Sequence, residues 1–353
     1  MKLKLAVMNS AKELGSKVDL ELQRLNNTKD SYLVNIEEIR FGNEEGKIKI
    51  DSSIYGSDLY ILGDIGNYGV SYKMHGKDHF MAPDEHFMDI RRVAATTKAY
   101  VRRSNVIMPL LYESRQHKRK DYESLDCAIS LQELERLGVD SIITFDAHDP
   151  SICNAVPELE FDNFYPTNEI LSEIIKNENL DNVLVISPDM GATERARVYA
   201  EMLSSDVGVF YKRRDLSKIV NGKNPIVEHM YMGADPKDKD ILIVDDMISS
   251  GSSILEVANM LKDKGAKRIF VAVTFALFTD GIKDFDEAYN NKLFTRIYTT
   301  NLSYIPEDIK NRTWYKEADI SKYLAFIIDT LSKKENINTL YEKKAVKMLK
   351  REK

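Results

Sequence analysis

Cysteine is almost missing from this chain. Cys127 and Cys153 are the only two among 353 residues. Two are too few for a disulfide framework or a four-cysteine zinc site, and they fit a reducing cytoplasm. Long apolar runs are missing as well, since nothing approaches the roughly 20 residues of a membrane span. The opening Met-Lys-Leu-Lys-Leu-Ala-Val-Met reads as a short strand and lacks the apolar region and cleavage site of a signal peptide. A soluble cytoplasmic protein is therefore expected. Charge of one sign is not in excess: 50 basic against 56 acidic residues leave a formal net charge of −6. That balance gives no electrostatic reason to expect nucleic-acid binding. Low-complexity segments are absent too. What remains, 43% hydrophobic and 30% charged, is the composition of a globular protein, and the length predicts two domains of ordinary size.

One stretch organises the rest: Ile241-Leu-Ile-Val-Asp-Asp-Met-Ile-Ser-Ser-Gly-Ser-Ser-Ile254. The apolar run Ile241 to Val244 suits one buried parallel strand. Asp245 and Asp246 follow at its end, and then a turn of small residues, Ser249, Ser250, Gly251, Ser252 and Ser253. Ile254, Val257, Ala258 and Leu261 recur with helical spacing after the turn. A strand, an acidic pair, a hydroxyl-rich turn and a helix start present backbone N–H groups to an anion. The small side chains let a phosphate approach the backbone, and the serines add O–H donors. Carboxylates are poor phosphate ligands but accept well from sugar hydroxyls, so a phosphorylated sugar suits the element. No Gly-Lys-Ser/Thr follows, which excludes a Walker loop. A lone Asp-Asp would merely solvate a strand end; the whole element reads as a site. It resembles the phosphoribosyl-pyrophosphate (PRPP) loop shared by type I phosphoribosyltransferases and ribose-phosphate pyrophosphokinases.

Taken in order, the chain alternates strand and helix. Strands are expected at Leu3–Met8, near 32–36, at Lys47–Ile50, at Ser57–Leu62 and at Val106–Leu111, with helices through Leu14, Val18 and Leu22 and over 84–102. Such βαβ alternation predicts parallel sheets flanked by helices. Residues 63–81 read as a polar loop, and His75 and His79 there lack partners at metal-ligand spacing. Four further clusters stand at strand ends. Arg115, Gln116, His117, Lys118, Arg119 and Lys120 follow one strand. His148 lies between Asp146 and Asp149 after the strand Ser141–Phe145. Asp189 follows the strand Val183–Ser187, and the strand 208–211 delivers Lys212-Arg213-Arg214. Each could be a solvated loop, a structural histidine or a helix cap on its own. Together they narrow the resemblance to the ribose-phosphate pyrophosphokinases (PRPP synthetases), whose motifs occur in this order. The proline-bearing segment 157–168 is taken as the link between domains.

The resemblance implies an α/β fold of two tandem type I phosphoribosyltransferase-like domains, residues 1–165 and 166–334, with a basic tail over 335–353. It implies transfer of pyrophosphate from Mg-ATP to O1 of ribose 5-phosphate, yielding PRPP and AMP. On that resemblance Asp245, Asp246 and Ser249 to Ser253 bind ribose 5-phosphate, while Arg115 and Gln116 contact ATP. Lys212 and Arg214 stabilise charge on the transferring phosphoryl group, and residues 215–224 close over the reaction. His148 and Asp189 help place Mg²⁺, His148 also serving in catalysis. Phe41, Asn43 and Glu45 reach the adenine of a neighbouring subunit, which implies a homo-oligomer, commonly a hexamer built from dimers. The chain departs from the family's pattern at His117 (usually Asp), Ala147 (Leu), Asn43 (Asp) and Ser249 (a third Asp), and carries an insertion near Gly63–Met81. A non-catalytic regulatory homologue, or a phosphoribosyltransferase using PRPP, are the alternatives.

Overall fold

The computed structural model describes residues 2–180, 182–214 and 226–335. The expected closing loop over 215–224 and the basic tail beyond 335 lie outside the described residues. The chain divides into two compact units. One comprises the chain up to Pro166, Asn301–Pro306 and the described chain from Asp319; the other comprises Thr167–Thr300 and Glu307–Ala318.

In the first unit β1 (Leu3–Val7), α1 (Lys12–Leu25) and β2 (Leu33–Val34) open the chain, and β3 (Ile36–Arg40) and β4 (Gly46–Ile50) follow. Next come β5 (Asp58–Leu62), β6 (Ser71–Met74), β7 (Lys77–Phe80), α2 (Pro83–Thr97), β8 (Arg103–Ile107), α3 (Asp126–Arg136), β9 (Ser141–Phe145) and β10 (Glu160–Phe164). Six of these strands form one sheet in the order β10-β9-β8-β5-β1-β2, with every pairing parallel. Buried on both faces, β5 and β9 have no exposed position at all, as a parallel sheet covered by helices requires.

Three readings of the sequence are corrected here. Strand β4 is not a member of the parallel sheet but pairs antiparallel with β3. Residues 63–81 are not simply a loop, because β6 and β7 pair as an antiparallel hairpin. Its turn places both His75 and Gly76 at positive φ (+50° and +74°), the two-residue geometry whose twist matches that of the strands. The segment taken as a link contains β10, an edge strand of the main sheet.

The second unit runs α4 (Thr167–Asn177), β11 (Val183–Ser187), α5 (Thr193–Leu203), β12 (Val207–Arg214), β13 (Ile226–Gly233), β14 (Asp240–Ile248) and α6 (Ser252–Asp263). It continues with β15 (Arg268–Ala276), α7 (Lys283–Asn290), β16 (Arg296–Thr300), α8 (Glu307–Lys310) and β17 (Tyr315–Ala318). Its seven strands are ordered β13-β12-β11-β14-β15-β16-β17, and only the edge pair β12–β13 is antiparallel.

The last described helix, α9 (Ser321–Ser332), was expected in the C-terminal domain but belongs to the first unit. Its Tyr323, Leu324, Ala325, Ile327 and Ile328 are all buried, so apolar surface covers most of its circumference and needs partners on several sides. Those partners are distant in sequence. Asn26 Nδ2 at the end of α1 donates to Asp329 Oδ1 at 2.8 Å, and the Tyr323 ring meets Phe145 and Phe164 edge-on at 6.1 and 6.3 Å.

Candidate active site

The second unit's β14 sits centrally, between β11 and β15, so its carboxyl end is a natural place for a ligand. Asp245 still pairs within the ladder, opposite Val273. Its carboxylate Oδ1 accepts from the Asp246 N–H at 2.9 Å, and Asp246 Oδ1 accepts from the Met247 N–H at 2.8 Å. These bonds fix both carboxylates on the outgoing backbone. Asp246 is buried. Burial, then the neighbouring Asp246, raises the pKa of Asp245 well above the usual carboxylate range; Asp189 adds to this and Arg195 opposes it. The Arg195 Nη1 lies 3.8 Å from Asp245 Oδ1. An acid held uncomfortably in this way gains most from ligand groups that donate to it.

The turn then reaches Gly251, whose φ of +85° puts it in the left-handed region. A Cβ there would lie 2.1 Å from the Phe285 ring, so both the conformation and the space demand glycine. Gly251 is also the N-cap of α6, and the first N–H groups of that helix have no acceptor within it. Serine hydroxyls surround the helix start, with Ser250 Oγ and Ser252 Oγ 3.2 Å apart. Thr279 closes the other side: its N–H donates to the Ser249 carbonyl at 3.0 Å, and its hydroxyl lies 3.4 Å from Ser249 Oγ.

Asp189 follows β11, the neighbour of β14. Its Oδ1 accepts from the Gly191 and Ala192 N–H groups at 2.8 and 3.2 Å, so it fastens the turn into α5. Lys212 and Arg214 stand at the end of β12, opposite His229 and Ile226 of β13, with a register shift between residues 213 and 214.

In the first unit two loops leave adjacent strands, β8 and β9. The first carries Arg115, which is exposed, and Gln116, whose amide donates to the Ser124 and Lys118 carbonyls at 2.7 and 3.2 Å. The second carries His148, exposed, whose N–H donates to Ser114 Oγ at 3.2 Å. Asp149 accepts from Ser151 Oγ and N–H at 2.6 and 3.0 Å. Those bonds and Lys118 hold its carboxyl well below its ordinary range. Phe41, Asn43 and Glu45 occupy the exposed β3–β4 turn. The Phe41 N–H donates to the Glu45 carbonyl at 2.8 Å and the Glu45 N–H to Asn43 Oδ1 at 3.4 Å. Of the three, Phe41 lines a cavity of about 430 Å³, together with Glu38, Arg40, Tyr72, Lys73 and His75.

Residues 3–138 match the family model described as the N-terminal domain of ribose phosphate pyrophosphokinase, and residues 164–307 match the phosphoribosyl transferase domain. A ribose-phosphate pyrophosphokinase of Haemophilus ducreyi is 26% identical over 308 residues, covering 86% of this chain and 89% of that protein. One of Bacillus subtilis is 25% identical over 345 residues, covering 96% and 97%. The chain belongs to the ribose-phosphate pyrophosphokinase family. The crystal structure of phosphoribosylpyrophosphate synthetase from Mycobacterium smegmatis superimposes with a TM-score of 0.78 at 21% identity, covering 95% of this chain and all of that one. It shares the fold.

For a member of this family, the sequence reading left out two groups beside the acid pair and the serine turn. Arg195 lies 3.8 Å from Asp245, and Thr279 meets Ser249 from the β15–α7 connection. Neither has a local signal: Arg195 reads as a helix residue and Thr279 as part of a turn, and only the sheet order brings them to β14. Among the described residues no group of three His, Cys, Asp or Glu side chains is placed to hold a metal ion. A hard cation such as Mg²⁺ fits this donor set when it arrives on phosphates and keeps several waters, taking one carboxylate such as Asp189 from the protein.

Proposed function

We propose that this pyrophosphokinase transfers the β,γ-pyrophosphoryl group of Mg-ATP to O1 of ribose 5-phosphate. The O1–Pβ bond forms, the bond from Pβ to the α,β-bridging oxygen breaks, and AMP and the O1 proton are released. The observation that carries this reading is the element from Asp245 to α6, with its glycine-dependent turn, hydroxyls and an acid pair, half-buried Asp245 beside buried Asp246, at the centre of the second sheet. On this reading Ser249 to Ser253 receive the 5-phosphate at the helix start, and Asp245 and Asp246 accept from ribose hydroxyls. Lys212 and Arg214 supply positive charge where it develops on the phosphoryl oxygens. Arg115, Gln116 and His148 serve ATP, and Phe41, Asn43 and Glu45 its adenine. Bound Mg²⁺ neutralises phosphate charge and aligns the leaving group; His148 and Asp189 are the residues assigned to it. We assign the ATP loops to residues 1–165 and the sugar site to 166–334, in a cytoplasmic homo-oligomer; no helix among the described residues is long and apolar enough to cross a membrane.

AMP release from Mg-ATP, with and without ribose 5-phosphate, tests the reaction. Sugar-dependent AMP that falls about 10²–10³-fold in Lys212→Ala, the loss expected of a group stabilising transition-state charge, supports the synthetase. Folded protein without sugar-dependent AMP overturns it. Ser249, where the family has a third acid, favours one second reading, a non-catalytic regulatory homologue, and that outcome would select it.

A further inference from the structure

The two loops of the first unit are tied to each other by a short chain of polar contacts. Ser114, on the loop after β8, is used twice: its hydroxyl accepts from the His148 N–H, and its carbonyl faces His117 Nδ1, both at 3.2 Å. His117 Nε2 then faces Asp149 Oδ2 at 3.1 Å. The His117 and His148 rings lie 5.6 Å apart between centroids. Ser114 is buried, and the His117 and Asp149 side chains are only 13% and 20% exposed, so water competes little for these bonds. Lys118 also approaches Asp149, at 3.0 Å, but its side chain is 72% exposed and a contact of that kind contributes little.

Both ring nitrogens of His117 therefore face oxygens that only accept. A donor is required at this position. The carboxylate that the family usually carries here would face a carbonyl and a second carboxylate with no proton to offer. His117 and Asp149 are in this sense a matched pair, one on each loop.

We propose that His117 is a positioning residue for Mg-ATP. Acting through Ser114 and Asp149, it locks the Arg115–Gln116 loop to the His148 loop, so that the nucleotide meets both in fixed register. The nucleotide part of this rests on the function proposed above; the lock itself does not.

Two measurements on His117→Asp, Asp149→Asn and the double variant test it. The first is amide hydrogen exchange of segments 112–120 and 146–152 in ligand-free protein. His117→Asp should speed exchange in both segments about tenfold, equivalent to roughly 1.4 kcal/mol of local protection. Asp149→Asn, which keeps size and loses charge, should give a weaker change of the same pattern. The double variant, whose new amide can donate to the new carboxylate, should return both segments to within about threefold of the parent, the coupling a double-mutant cycle isolates. The second is kinetics: KM for Mg-ATP should rise about tenfold in His117→Asp while KM for ribose 5-phosphate and the melting temperature stay unchanged. Exchange that rises in only one loop, a double variant no better than His117→Asp, or both KM values moving together would overturn the proposal. If the parent protein makes no AMP, the proposed function fails and the exchange data still decide the lock.

Discussion

Replacing Gly251 by alanine perturbs the phosphate turn at one atom, and the structure sets the size of the effect. At φ +85° and ψ −10° an L-residue pays about 1–2 kcal/mol for the left-handed conformation. The new methyl would also sit 2.1 Å from Phe285 Cζ and 2.5 Å from Cε2. Phe285 cannot retreat easily: it is fully buried, edge-on to Phe278 at 5.0 Å and stacked on Trp314 at 6.0 Å. Overpacking of such a site costs about 1–3 kcal/mol, so the total is roughly 2–5 kcal/mol. Trp314, the only tryptophan, donates from Nε1 to Asp286 at 2.8 Å and reports on this cluster by its own emission. With a urea m-value of about 2 kcal/mol/M, the midpoint should fall by about 1–2.5 M. KM for ribose 5-phosphate should rise at least about tenfold, since small displacements of a positioning group are costly. A Phe285→Leu change added to Gly251→Ala should recover the steric part and leave the conformational part. A midpoint shift under about 0.3 M with an unchanged KM would refute the assignment of both strain and phosphate binding to this turn.

Two further outcomes depend on buried acids. Asp245→Asn should stabilise the second unit at neutral pH while weakening ribose 5-phosphate binding. The pKa of Asp245 is raised by burial and by Asp246, so its charge opposes folding above the unfolded pKa. The gain should hold at pH values above the folded pKa and shrink as pH falls below it toward the unfolded value, and urea melts read by Trp314 at two pH values check the sign. A destabilised variant at pH 8 would contradict it. In the first unit Asp64 is buried and accepts from the Ser303 hydroxyl and from the Tyr304 and Gly66 N–H groups. Burial nonetheless raises its pKa to about 7. Its contribution to stability should decline as pH rises from about 4 to 7 and then level off. Asp64→Asn leaves a backbone donor unmatched and should cost about 1–3 kcal/mol. The gap to the parent, followed by circular dichroism, should narrow between pH 5 and pH 8; a constant gap would refute the pH argument.

The strand–turn–helix element after Ile241 was legible because its signals are local. An apolar run of strand length, a small-residue turn and helical spacing after it lie within 14 residues, Ile241 to Ile254. Features set by distant partners were not. Strand β10 sits at the sheet edge, and its Glu160, Asp162 and Asn163 hide the strand pattern. The periodicity of α9 announced a helix but not which unit it covers, since Asn26, Phe145 and Phe164 are all far from it in sequence. The β6–β7 hairpin escaped for a different reason. His75-Gly76 is a weaker turn signal than Asn-Gly, and the strands it joins are largely polar. What fastens them is lateral: Tyr72 OH and His79 Nε2 both reach Glu85, at 2.7 and 3.0 Å, and the Arg40 guanidinium lies 5.5 Å from the centre of the Tyr72 ring.

Two of the four departures from the family's pattern, at residues 249 and 117, share a physical logic. After β14 the acid pair is already crowded, with Asp246 and Asp189 both raising the pKa of Asp245 and Arg195, 3.8 Å away, lowering it. A third carboxylate at residue 249 would add repulsion that this arrangement does little to offset. Serine there keeps a hydroxyl beside Thr279 Oγ1 and removes the extra charge, while two carboxylates remain for sugar hydroxyls. On the ATP side the acid is not lost but carried on the other loop, by Asp149, with a donor at residue 117 to meet it.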